Sequence, residues 1–224
     1  MLTGVGAGRA TSAEPGSAVG RARYGSNGHR VSEGTVANRT YLLAVDDRAV
    51  TWSDDPEREI IAEGIGEIPV FWAALFVRED RQLDTYEGGG DGGKAEPLKI
   101  PNWCVGSAVA KERLAALREP IGKLLDKRSK KVWHLFIDHV SAEKAAFFKT
   151  NAAELWDLAP DAYEGYWGTL LRLFAEPTRA NLKAAVEAND LSLEGKSIDW
   201  EDEEATACKL AGADHIREVP WLDD

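Results

Sequence analysis

The apolar positions of this chain fall into one unbroken block and several periodic stripes. The block, residues 68–77, reads Ile-Pro-Val-Phe-Trp-Ala-Ala-Leu-Phe-Val, without a charge; Glu67 precedes it and Arg78-Glu79-Asp80-Arg81 follows. Pro69 has the φ of a first helical turn and lacks only an N–H that would find no partner there. A helix from this point runs about 15 Å and is apolar on every face, which marks a buried element. It is too short to cross a bilayer. The block therefore predicts a central core helix that amphipathic elements must cover.

Around it the period changes. Arg39–Val45 is rich in residues suited to a pleated surface, and Asp46-Asp47 supplies a turn, so a strand is predicted there. A short second strand over 49–52, a turn at 53–56 and a polar-to-apolar approach over 57–66 lead to Ile68, which its following proline biases away from helix. Residues 79–102, with the glycine run 88–93, read as the longest loop. From Ser107 the stripe Ala110, Leu114, Leu117, Ile121 and Leu124 marks one face of a helix. Lys111, Glu112, Arg113 and Arg118 face away, Pro120 kinks or restarts the helix, and the basic run 127–131 ends it where the dipole favours cations.

Residues 132–140 (Val-Trp-His-Leu-Phe-Ile-Asp-His-Val) are too apolar for a surface. Their β-branched and aromatic content allows a strand, although so short a run does not separate strand from helix. Residues 146–150 and 154–158 read as short strands around Asn151-Ala152-Ala153. Asp161 and Glu164 fit a capping box opening a helix to about Phe174 that presents Tyr163, Trp167, Leu170, Leu171 and Phe174. Thr178 caps a helix to 188. Asp199 opens a last helix, ending near Gly212, with Glu201, Asp202, Glu203 and Glu204 in its first turn, where the dipole favours them. Residues 216–224 return as an edge strand or ordered coil. The predicted class is α+β: a mainly helical single domain over 36–224, with a small sheet packed on the central apolar helix.

Composition separates the first 35 residues from the rest. They hold 8 of the 21 Gly and none of the eight Trp, too little apolar surface to offset ordering entropy, so a disordered tail is expected. They carry a net +2, which leaves 23 basic and 36 acidic residues beyond them, a net of −13. That field repels phosphate backbones and anionic lipid, so neither nucleic acid nor a membrane surface is expected as partner. A basic protein partner fits the charge; simple solubility is the commoner reason for such a composition. The two cysteines form no disulfide framework or metal set, residues 1–35 have no apolar signal core, and a cytoplasmic protein without cofactor is expected. Ser32-Glu33-Gly34 is compatible with a ribosome-binding sequence upstream of a GTG start at Val36. An intact mass from the native host that includes residues 1–35 would refute that start.

Candidate chemistry is sparse. Residues 88–95 imitate a phosphate-binding loop, G-x-x-x-x-G-K, but Ala95 stands where the magnesium ligand belongs and Pro97 blocks the following helix. His134 and His139 lie about 140° apart on a helix and on opposite faces of a strand, so one regular element cannot join them on a metal. His139 with Asp138 or Glu143 has the composition of a general-base pair, and such a pair is more often a satisfied half-buried histidine. Cys104, with no histidine near it in sequence, is a weak nucleophile candidate. Asp199 with Glu201–Glu204 serves helix capping or a patch for a basic protein. Trp156, Tyr163, Tyr166 and Trp167 suit an interface anchor and suit a core.

From Val36 onward the chain resembles an uncharacterised bacterial domain family whose members open Met-Ala-Asn-Arg-Ser-Tyr-Leu; here the stretch is Val36-Ala37-Asn38-Arg39-Thr40-Tyr41-Leu42. Ile68-Pro69 before an apolar helix and the segment from Phe147-Phe148 to Glu154-Leu155-Trp156 resemble it too. The resemblance implies a shared fold and the later start, and carries no catalytic residues. Two functions remain: a non-catalytic acidic binding protein of the immunity or antitoxin kind, or a small enzyme drawing on His134, Asp138 and His139 with Glu143 or Cys104.

Overall fold

The fold is that of a computed structural model, which describes residues 38–51, 59–86, 97–188 and 203–213. Among these the order is β1 (Arg39–Val45), β2 (Ile60–Ile65), a 3-10 helix (Val70–Leu75), a 3-10 turn (Arg78–Asp80), β3 (Arg81–Tyr86), β4 (Leu98–Gly106), α1 (Ser107–Gly122), α2 (Lys127–Ala142), β5 (Phe147–Asn151), α3 (Ala153–Leu158), α4 (Pro160–Ala175), α5 (Arg179–Ala188) and α6 (Glu203–Ala211). The strands form one antiparallel sheet in the order β2-β1-β5-β4-β3. Because successive strand residues point to opposite faces, Leu42, Ala44, Trp103, Val105 and Phe148 face the helices. Tyr41, Leu43, Val45, Cys104 and Lys149 lie on the other side. The class is α+β, as the pattern predicts.

The charge-free block is buried from Ile68 to Phe76 and helical over Val70–Leu75, with Trp72 at 0% and Phe76 at 2% exposure. It winds as a 3-10 helix rather than an α-helix: Trp72 N–H donates to Pro69 O at 3.1 Å and Phe76 N–H to Ala73 O at 3.2 Å. A 3-10 helix eclipses residues three apart, so three rows of side chains leave it in three directions. Phe71 meets Trp133 and Phe136 of α2, Trp72 Nε1 donates to Ala211 O at the end of α6 at 2.8 Å, and Phe76 meets Trp167 of α4 edge-on.

Several expectations are corrected. Residues 49–51 form no strand, and 60–65 pair with β1 as β2. The expected loop over 79–102 contains β3 and β4. Pro101 is tolerated because β4 pairs with β5 only over Cys104–Gly106, so at Pro101 the strand has β3 alone as a neighbour. Residues 127–142 are one helix: Trp133, Phe136, Ile137 and Val140 keep the helical period, and Asp126 caps it by accepting from Ser129 N–H at 2.9 Å. Residues 154–158 are helix α3, not strand. The expected tail 1–35, turn 53–56, glycine-rich run and segment 216–224 lie outside the described residues.

Candidate functional site

The four aromatics near α4 are mostly core. The helix begins at Pro160 without a side-chain cap, so Asp161 and Glu164 form no capping box; Glu164 pairs instead with Arg81 of β3. The period of α4 then turns Tyr163, Tyr166 and Trp167 inward. Trp167 stacks on Trp103 with ring centroids 4.0 Å apart. The Tyr166 hydroxyl donates to Ile68 O at 2.6 Å and accepts from Ile68 N–H at 3.1 Å, satisfying the backbone that enters the central block. Burial holds the Tyr163 and Tyr166 hydroxyls above their ordinary pKa. These three cannot anchor a partner without opening the core. Trp156, half-buried on α3, reaches the surface.

The two histidines do not converge. His134 and His139 sit on α2 with the angular separation their spacing dictates. Asp138 is exposed and bound by both terminal nitrogens of Arg118, at 2.9 and 3.2 Å. Glu143 lies at the C-cap of α2, where the chain turns extended, and its carbonyl accepts from Lys111 Nζ. Cys104 is on β4 rather than in a loop, buried on the far side of the sheet from α2. Burial pushes its thiol up, against the opposing pull of Lys149 and Arg48, so at neutral pH it is not a thiolate nucleophile.

Beside Cys104 lies a polar network not anticipated from the sequence. Lys149, fully buried, donates from its ammonium to Arg48 O at 2.9 Å and to Val50 O, and pairs with Asp84 Oδ2 at 2.9 Å. Asp84 also accepts from Asn102 Nδ2 at 2.8 Å and Gln82 Nε2 at 2.7 Å. Asn151 Nδ2 donates to Thr51 O at 2.7 Å. Each charged group has its acceptors or donors, and the network fastens residues 48–51 onto the sheet. It is a clamp rather than a reaction centre. The sequence signal was one lysine between Phe148 and Thr150, which strand alternation sends to the face away from the helices.

At the other end of β1, Arg39 joins two carboxylates. Its N–H donates to Glu154 Oε2 at 2.8 Å, and its Nε lies 3.3 Å from Glu63 Oε1. Burial raises the Glu154 pKa. Burial, and then the charges of Glu63 and Glu154, push the Tyr41 hydroxyl up to about 12.

From Glu154 the surface turns acidic. Between Asn151 and Leu171 the chain has Glu154, Asp157, Asp161 and Glu164 and no basic residue. Asp157, Asp161 and Glu164 are exposed along α3 and the first turns of α4. Beside them are half-buried Trp156 and Leu158, which is 41% exposed. Of the other acidic group, Glu203 opens α6 and Glu204 is exposed; Asp199, Glu201 and Asp202 lie outside the described residues.

Among the described residues no cluster of three or more His, Cys, Asp or Glu could hold a metal, and no helix is long and apolar enough to cross a membrane. No model of a known protein family, no curated protein and no solved structure matches the chain.

Proposed function

We propose that the protein is a non-catalytic acidic binding protein, of the immunity or antitoxin kind, whose partner is a basic protein met in the cytoplasm. The observation that carries this reading is the face of α3 and early α4: exposed Asp157 and Asp161, in a stretch without a basic residue in sequence, beside half-buried Trp156 and exposed Leu158, with Glu154 and Glu164 at its borders held by Arg39 and Arg81. Acidic groups on such a face steer a cationic partner and set its orientation. The apolar pair supplies the patch that loses water on contact. Neither Cys104 nor Cys208 is in a disulfide, which suits a reducing compartment. The enzyme reading has less support, because Asp138 is held by Arg118, the two histidines lie apart around α2, and Cys104 is across the sheet.

The test uses the full chain, tagged, as bait in its native host beside the D157K/D161N variant. The captured protein is then purified and its association kinetics measured. A basic partner whose association slows about tenfold with the variant, and slows with added salt, supports the reading. A partner of acidic or neutral charge, or one indifferent to the variant, overturns it.

A further inference from the structure

The C-terminal end of α4 borders a different surface. α4 has 16 residues, so its acidic start and its last turn lie about 20 Å apart. There, α4, α1 and the stretch after the 3-10 helix enclose an open cleft of about 520 Å³, a volume typical of small-ligand sites. Phe76, Val77, Leu117, Leu171 and Phe174 are among its lining residues. Val77 is 37% exposed, so water-facing apolar surface is already present.

The charges at this cleft run against the rest of the molecule. Arg78, Arg113 and Arg172 line it with one carboxylate, Glu79. Arg113 is fixed by Leu75 O, at 2.9 Å, and by Asp80. Arg78 and Arg172 are exposed, and neither has a carboxylate partner among the described residues. On a chain of net charge −11, two uncommitted guanidiniums beside an apolar trough select for a ligand with a tail and an anionic head. The interior offers few polar groups that would recognise a sugar or a base.

We propose that this cleft binds a free single-chain anionic amphiphile, a medium-chain fatty carboxylate, with the alkyl chain against Phe76, Leu117, Leu171 and Phe174 and the carboxylate between Arg78 and Arg172. Guanidinium forks match carboxylate geometry. Each methylene added to the tail tightens binding up to about fourfold until the cleft is full. This site is independent of the acidic face and of the partner proposed for it.

Calorimetric titration of the full chain with octanoate, decanoate and dodecanoate, below micelle formation, tests the proposal. The expected result is one saturable site, tightening with chain length. R78E/R172E weakens it at least tenfold. A116W, which places a large side chain on an exposed lining residue, removes it. Both changes lie at exposed positions, and circular dichroism verifies the fold. Absence of saturable dodecanoate binding overturns the proposal, as do equal affinity for dodecyltrimethylammonium and affinity unchanged by R78E/R172E. A dimer by sedimentation velocity that A116W abolishes, without dodecanoate uptake, would instead make the cleft a contact between two copies and equally overturn it.

Discussion

At the level of single residues the structure turns on charges taken out of water. Lys149 is 0% exposed and Asp84 6%, and removing one partner of a buried pair costs roughly 3–5 kcal/mol, mainly because the other charge is left uncompensated. K149M is therefore expected to lower stability by about that amount in urea unfolding, and K149M/D84N to recover a substantial part. A double-mutant cycle with no coupling would refute the clamp. Glu154 carries a sign that can be checked. Its folded pKa is raised above the ordinary value of 4.5, so the folded state holds this proton more tightly than the unfolded chain. The corresponding contribution is fully present below pH 4.5 and is lost as pH rises through the folded value. E154Q removes this slope, so its urea midpoint relative to wild type should rise from pH 4 to pH 7; a fall would mean that Arg39 outweighs burial. None of this was legible residue by residue. An ion pair between β3 and β5 depends on strand order, and local pattern does not encode which strands become neighbours.

At the scale of elements, what was legible is what local physics decides alone. β1 is found at its expected bounds; α1 starts at Ser107 as expected but stops at Gly122, and the basic run 127–131 opens α2 instead of ending α1; α4 and α5 follow from the apolar stripe and the hydroxyl cap at Thr178, which accepts from Asn181 N–H at 3.2 Å. The pattern leaves an element open where composition and period disagree. Residues 132–140 have strand-like composition, but Val132, Trp133, Phe136, Ile137 and Val140 are buried at helical spacing. Propensity is a weak prior against packing. The cap at Asp126 tests this account. Burial would raise its carboxyl pKa, but the bonds from Ser129 N–H and Oγ more than offset that and hold it below the ordinary value of 3.8. D126A should cost about 1 kcal/mol at neutral pH. That penalty is present above pH 3.8 and shrinks as acid protonates the wild-type side chain. A penalty constant down to pH 2 would show that the carboxylate is not the capping species. Close approach gives a second element-level expectation. A Cβ on Gly64 of β2 would lie 2.5 Å from Thr40 Oγ1 and 2.6 Å from Glu67 O. G64A must therefore displace backbone, and its thermal midpoint should fall well below that of wild type.

Across the whole molecule, net charge was the most legible property and its placement the least. Counting gives −13 beyond residue 35, yet which carboxylates stand unopposed depends on where α3 and α4 begin. Exposed pairs such as Lys183–Glu187 add little. The buried Lys149–Asp84 pair is screened weakly by salt. The term that salt can change is therefore dominated by repulsion among surface acids. Raising sodium chloride from 10 to about 200 mM shortens the screening length from about 30 Å to under 10 Å, and the urea midpoint at pH 7 should rise with an unchanged m-value. Asp157 is the sharpest probe, because it lies near the C-terminal end of α3, where the dipole opposes an acid. D157N should stabilise the protein by up to about 0.5 kcal/mol, more at low salt than at high. A carboxylate kept there against folding stability is what a face reserved for a cationic partner requires. If the midpoint falls with salt, or D157N destabilises at low salt, the surface charges are mutually satisfied, and the case for the acidic face as a binding site fails with them.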